Sequence, residues 1–262
     1  MADREKILRY FRAGGDEELA AKLLDLAEGA HRSRKFRVSD FLDPHGCNVA
    51  EIVAAANFEN VKLETSGGFK NAERMKVAFV AEDFFGQPDF GMVCFKVEWD
   101  KRYYELSHRD ILGAFMGMGC KREILGDIIF IPEGAQFVAD KSFTTYIMNN
   151  LTQIGSAPVS LTEITEADLL QKEEKVKVIS ATVAALRLDA VAAAGYGVSR
   201  SRMADEIKGQ NVKVNWKEAK NAAQPVSEGD IISFRSRGRV EVAEIRGTTK
   251  KGRLSITLKR YI

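Results

Sequence analysis

The chain has 262 residues, 39 Lys+Arg against 37 Asp+Glu, and 45% apolar side chains, a globular composition that excludes a disordered or low-complexity chain. No apolar run approaches the roughly 20 residues that span a bilayer, and the start Met1-Ala2-Asp3-Arg4-Glu5-Lys6 lacks a signal-peptide core, so a cytoplasmic location is expected. Three cysteines far apart, Cys47, Cys94 and Cys120, read as reduced core residues and not as a disulfide frame.

Residues 3–12 read as a short helix with Ile7, Leu8 and Phe11 on one face. Asp16 is a plausible N-cap for a second helix carrying Leu19, Leu23, Leu24 and Leu26. The basic run His31-Arg32-Ser33-Arg34-Lys35-Phe36-Arg37 has two readings, a solvated helix end or a secondary RNA contact. Phe41-Leu42-Asp43-Pro44 signals a turn into a helix through Ile52, Val53 and Ala56, and Val61–Thr65 alternates like a strand until Ser66-Gly67-Gly68. These pieces form a mostly helical domain over 1–74.

From Met75 the pattern changes. Strands are expected at 75–81 and 91–99, a helix capped by Ser107, and two short strands at 124–131 and 136–139. A helix over 142–154 and a strand at 159–164 follow. This order, over 75–165, is close to a split β-α-β layout of the RRM or ferredoxin-like kind. It has no RNP1-like run of glycine and aromatics, so fold analogy does not assign RNA binding to it. Residues 166–180 read as a charged connector, and 181–262 as the last domain, which makes the whole chain α+β.

The last domain carries the strongest functional signal. Leu188, Val191 and Ala192, then Met203 and Ile207, keep helical spacing. Gly195 and Gly197 are candidates to stop the first helix, and Ser199 to N-cap the second. Arg200, Ser201 and Arg202 then sit beside free N–H donors at the positive end of a helix dipole, an arrangement suited to phosphate. Val212 and Val214 alternate with Lys213 before Asn215, Trp216 and Lys217, and a second strand run ends in Arg235, Arg237 and Arg239. The expected unit is two short helices followed by a small twisted sheet, with cations spread over one side. Charge is lopsided to match. Residues 181–262 hold sixteen Lys+Arg and eight Asp+Glu, a net +8, which leaves the remainder at −6. A basic module on a mildly acidic body points to a directed polyanion contact.

Arg187-Leu188-Asp189, Ser199-Arg200, Ala204, Ile207, Gly209, Val212, Val214-Asn215, Gly229-Asp230 and the Arg-rich close resemble the S4 RNA-binding domain over about eighty residues. The resemblance implies an RNA-binding surface at Arg187, Ser199, Arg200, Ser201, Arg202, Lys208, Lys213, Asn215, Lys217, Arg235, Arg237 and Arg239. Many S4 domains place glycine after the asparagine. This chain has Trp216, so a tight two-residue Asn-Gly hairpin is not expected, and the indole offers a stacking face.

Phe41-Leu42-Asp43-Pro44, Ser66-Gly67-Gly68 with Ala72-Glu73-Arg74, and the stretch from His108-Arg109-Asp110 through Lys121-Arg122 to Gly126-Asp127-Ile128 precede that unit. Together they resemble the YlmH family of bacterial S4-domain proteins over nearly the whole chain. The resemblance implies a cytoplasmic protein on the large ribosomal subunit, in contact with rRNA and tRNA during rescue of stalled nascent chains. It leaves a division-linked role open.

Other chemistry fits less well. His108-Arg109-Asp110 and Asp89-Phe90-Gly91 match kinase triplets, but in the wrong order and without a glycine-rich loop. Arg187-Leu188-Asp189 matches a pseudouridine-synthase triplet, but no catalytic domain follows it. His45 and Cys47 lack a second ligand pair at zinc spacing and read as a loop histidine and a buried thiol. No enzyme activity, metal or cofactor is therefore expected. Two other classes stay open: an RNA-modifying enzyme with His108 and Asp110 in the central domain, and a cell-division scaffold whose body binds a protein partner.

Overall fold

A computed structural model describes residues 4–57, 60–170, 176–235, 237–249 and 252–261. Met1 to Asp3, residues 171–175 of the expected connector and Ser236 of the Arg-rich stretch lie outside it. The chain divides into two units, residues 1–172 and 173–262.

The first unit begins with α1 (Arg4–Arg12), α2 (Glu17–Ser33), β1 (Phe36–Val38), α3 (Pro44–Asn57), β2 (Val61–Ser66) and β3 (Lys76–Ala81). Ile7, Phe11, Leu23, Leu24, Val49 and Val53 pack the helices onto Val77 and Phe79 of the strands. Asp16 does not cap α2; it accepts a 2.9 Å hydrogen bond from His45 Nε2. His45 itself stands in the first turn of α3, not in a loop. The basic run ends α2 and closes on Arg34 in the left-handed conformation, φ +50°.

The sequence reading placed β3 in the central domain. The structure pairs it with β1 and β2 in the order β1-β3-β2, so it closes the N-terminal part and extends that part beyond residue 74. Alternation shows that a segment is extended, not which neighbour it chooses. All six residues of β3 are buried, as a central strand requires.

The rest of the unit is β4 (Met92–Glu98), α4 (His108–Gly117), β5 (Leu125–Ile131), β6 (Gly134–Asp140), α5 (Thr144–Asn150), β7 (Gln153–Ile154), β8 (Ala157–Pro158) and β9 (Ser160–Ile164). The four long strands form an antiparallel sheet in the order β5-β6-β4-β9, the split β-α-β arrangement. Val93, Phe95, Val97, Ala135, Phe137 and Ala139 face α4 and α5, where Ile111, Phe115 and Ile147 complete the core. The helix expected over 142–154 stops at Asn150, and Ile154 turns into a tight hairpin at Gly155, φ +59°.

The second unit contains β10 (Val176–Val183), α6 (Leu188–Tyr196), α7 (Arg200–Lys208), β11 (Val212–Val214), β12 (Lys217–Glu218), β13 (Ile231–Phe234), β14 (Gly238–Thr248) and β15 (Leu254–Tyr261). They build a six-stranded antiparallel sheet, β10-β15-β14-β13-β11-β12. Residues 176–180, read as connector, are a strand instead. Ile179, Ala181 and Val183 alternate inward, and β10 pairs with β15 from Val176 to Val183. One core holds Leu188, Val191, Tyr196, Met203, Ile207, Val212, Phe234, Val240, Val242, Ile256 and Leu258. Tyr196 anchors it from beneath, donating its hydroxyl to the carbonyls of Ile232 (2.7 Å) and Gly238 (2.9 Å). Of the two expected helix stops only Gly197 ends α6, at φ +65°. Gly195 lies within α6, and a Cβ there would meet Val240 Cγ1 at 2.7 Å.

The tight two-residue turn, not expected with Trp216 in place of glycine, is present. Asn215 (φ +48°) and Trp216 (φ +64°) join β11 to β12 in two residues, with Val214 opposite Lys217. Positive φ at both central residues is the type I′ requirement. Asn215 holds the turn with its own side chain. Its Oδ1 accepts the Ile231 N–H at 2.9 Å, and its Nδ2 donates to Asp230 Oδ1 at 2.8 Å.

Candidate nucleic-acid interface

The start of α7 is built as its sequence specifies. Ser199 is extended, and its Oγ accepts the Arg202 N–H at 3.2 Å, so one of the helix's unpaired donors is satisfied by the cap. Ser201 Oγ lies 3.2 Å from Ser199 Oγ. Arg200 and Arg202 occupy the first turn, both well exposed. Among the described residues, Arg202 has its Nε 4.0 Å from Glu206 Oε1, a distant partner. Lys208, also exposed, ends the helix.

Asp189 organises the cluster. Its carboxylate is buried at the start of α6 and receives Arg187 through Nε (3.2 Å) and Nη2 (3.0 Å). Arg200 Nη2 donates to the same carboxylate at 3.0 Å. Burial works against the ionised Asp189, but the hydrogen bonds and charges of Arg187 and Arg200 outweigh it and hold the carboxyl below its usual range. Arg200 is thus partly a structural residue, whereas Arg202 is the more open guanidinium of the two. Sequence reasoning had the Arg187-Leu188-Asp189 triplet but gave Asp189 no role.

The remaining cations do not share that surface, contrary to the expectation of one basic side. Val212, Val214, Val240 and Val242 turn toward the helices, so Lys213 and Arg239 project from the opposite face of the sheet. Strand register sets Lys213, Ser233, Arg239 and Tyr261 in one row across that face. The Arg239 guanidinium lies over the Tyr261 ring at 5.2 Å. Arg235 and Arg237 are exposed at the β13–β14 turn, and Arg237 stacks on Phe234 at 5.6 Å. Asn215 is committed to its turn, and Lys217 is exposed beside it. Arg260 and Lys259 were among the cations missed. Arg260 lies over Tyr196 at 5.3 Å, and Lys259 lies 3.7 Å from Glu241. The inward alternation of Ile256 and Leu258 was the signal that locates both.

The central sheet turns one face to α4 and α5. Its other face is the one on which RNA-recognition modules stack bases, and here it is closed. Cys94, Ile129 and Val138 of that face are buried against Phe41, Phe69 and Leu169. Gln136 lies across it, donating from Nε2 to Asp168 O (2.9 Å) and accepting the Leu170 N–H at Oε1 (2.7 Å). The motifs before the S4-like unit form the clasp that keeps the face closed. Asp127 accepts the N–H groups of Glu73 (2.6 Å) and Arg74 (3.1 Å). Arg74 donates to Leu125 O at 3.0 Å and to Phe41 O at 2.7 Å. Burial and the neighbouring Arg74 lower the Arg122 guanidinium to about 10. Lys76 and Asp140 form an ion pair at the same junction.

Asp110 serves as a helix cap, not as a general base. Asp110 completes a capping box, accepting the Ser107 N–H (2.8 Å) and Oγ–H (2.6 Å), and those bonds hold its carboxyl below its usual range. A general base for neutral pH needs the opposite shift. Cys47 is buried, and desolvation pushes its thiol up to about 11. No cluster of three or more His, Cys, Asp or Glu suited to a metal occurs among the described residues.

Comparison with known proteins agrees with this architecture. Family models match as YlmH, N-terminal, over residues 15–84, as Putative RNA-binding domain in YlmH over 86–168, and as S4 domain over 186–232. The chain is 35% identical over 227 residues to "Ribosome-associated protein quality control protein P2" of Bacillus subtilis (strain 168), covering 86% of this chain and 88% of that protein. A solved structure, "Cell division protein ylmH from Streptococcus pneumoniae", shares the fold with a TM-score of 0.51 and 24% identity, over 60% of this chain and 95% of that one. With three successive domain matches and a relative aligned over most of its length, the chain belongs to the YlmH family of S4-domain proteins.

Proposed function

We propose that this protein is a non-enzymatic RNA-binding component of translation quality control. It associates with the large ribosomal subunit in the cytoplasm and contacts rRNA and tRNA when nascent chains stall. The observation that carries the reading is the α7 start. There a capped helix N-terminus, Arg202 and the Asp189-bridged pair of Arg187 and Arg200 present guanidinium groups and backbone donors together. That is a phosphate-binding geometry on a module of net charge +8. The Bacillus subtilis relative, whose name places it at the ribosome in quality control, supports the setting.

Such a site reads RNA shape and backbone more than base sequence. Binding of a labelled structured RNA, titrated across several salt concentrations, tests the reading. A linear fall of log affinity with log salt is expected. Affinity that does not respond to salt would overturn it.

A further inference from the structure

Two arginines of the second unit rest on a pair of touching rings. The Arg260 guanidinium lies over Tyr196 at 5.3 Å, Tyr196 meets Phe234 edge to face at 5.3 Å, and Arg237 lies over Phe234 at 5.6 Å. The Tyr196 hydroxyl is tied to Ile232 O and Gly238 O, so the rings form a fixed base. Strand register sets Arg260 between Val240 and Lys177, on the side of the sheet that carries α6 and α7. Arg237 and Lys177 are exposed, and Arg260 is half-buried. Among the described residues no carboxylate pairs with any of the three, whereas Lys259 and Arg246 of the same sheet have Glu241 and Glu244. Arg260 Nε is buried without a hydrogen-bond partner, alone in this among the described side chains.

A ring holds a guanidinium through its charge and uses none of its five N–H donors. Arg237 and Arg260 are therefore positioned while their donors stay open. A buried donor left without an acceptor costs roughly 1–3 kcal/mol, and a bound anion removes that cost. Phosphate suits the arrangement, because guanidinium forks bind its oxygens in pairs. From this juxtaposition we propose that Arg260, Arg237 and Lys177 form a second phosphate site for the RNA backbone, carried on Tyr196 and Phe234. Its residues differ from those of the Asp189-centred cluster, and all three cations lie outside the S4 domain match over 186–232. The inference rests on the RNA-binding reading and adds a further stretch of bound backbone to it. Phosphate contacts carry no base identity, so the site is indifferent to RNA sequence.

The full chain is titrated across several salt concentrations with two fluorescein-labelled RNA hairpins of unrelated sequence. Arg237→Ala and Arg260→Met each weaken binding of both RNAs about tenfold and lower the salt slope by about one. Methionine keeps a long apolar stem over Tyr196 and removes the unpartnered donor, so Tm of Arg260→Met stays at the wild-type value or above it. Arg246→Gln, at the paired arginine of β14, changes neither affinity nor slope. Equal losses in Arg246→Gln would make the effect one of net charge and overturn the site. Weakened binding in Arg202→Ala, with wild-type affinity and slope in both Arg237→Ala and Arg260→Met, would overturn the site and leave the RNA reading intact. A lowered Tm in Arg260→Met, with Arg237→Ala binding as wild type, would make Arg260 a packing residue. Failure of the wild-type protein to bind either RNA would remove both readings together.

Discussion

Arg200 Nη2 donates to Asp189 Oδ2 at 3.0 Å, across eleven residues of sequence, and so ties the first turn of α7 to the first turn of α6. Arg187 holds the same carboxylate from the other side. One buried anion therefore fixes two of the guanidinium groups of the proposed RNA contact. That limits what Arg200 substitutions reveal.

Arg200→Ala removes both a proposed RNA contact and a partner of a buried carboxylate. It is expected to weaken RNA binding and to destabilise the chain by about 1–2 kcal/mol. Arg202→Ala separates the two effects, because among the described residues Arg202 meets a carboxylate only at 4.0 Å. Its Tm should stay within a degree or two of wild type, its RNA affinity should fall, and its salt slope should flatten by about one unit. Thermal melts beside salt titrations of both variants check this.

The Asp189 carboxyl sits below its usual range, so its contribution has a defined sign in pH. A group with a depressed folded pKa stabilises above the unfolded value of about 3.9, and that stability is lost as pH falls through the folded value. Asp189→Asn should therefore cost about 1–3 kcal/mol at pH 7. The gap to wild type should narrow toward pH 3. Urea unfolding at the two pH values measures it, and a constant gap would place the carboxylate's contribution elsewhere.

Gly195→Ala sets helix propensity against packing. In an open helix the change would stabilise by roughly 0.5–1 kcal/mol. The new methyl would stand 2.7 Å from Val240 Cγ1 and 3.4 Å from Leu258 Cδ1, so a loss of about 1–3 kcal/mol is expected instead. The thermal midpoint decides between the two signs.

Asp127→Ala leaves the Glu73 and Arg74 N–H groups without their carboxylate and loosens the clasp over the central sheet. A loss of about 2–4 kcal/mol is expected. Hydrogen exchange should rise at β5 and β6, which the clasp touches, and stay unchanged in α6 and α7. Equal effects on both regions would show that the clasp does more than close the central sheet.

The legible parts of the chain were those where local pattern decides. Ser199 caps α7 because a hydroxyl before a helical run has one favoured use, and the order β4-α4-β5-β6-α5-β9 followed from alternation and helical spacing. Partner choice was not legible. β3 reads correctly as extended and most of β10 reads as connector, and no residue in either announces the strand beside it. The Trp216 turn was missed because the rule for type I′ turns looks at backbone preference, and here the Asn215 side chain overrides it. Within the site, the cations were visible but their grouping was not. Lys213 and Arg239 part from Arg200 and Arg202 because strand alternation sends them to the far face, and Arg200 meets Asp189 only through the packing of two helices.

The most direct measurement is sedimentation of the tagged protein through sucrose gradients of cell lysate at two salt concentrations, as wild type and as Arg202→Ala with Lys208→Ala. Wild-type protein is expected with large subunits at low salt and partly released at high salt, and the double variant is expected to be released at both. A double variant that stays with the large subunits as firmly as wild type would contradict the α7 interface, and wild-type protein at the top of every gradient would contradict the ribosomal setting.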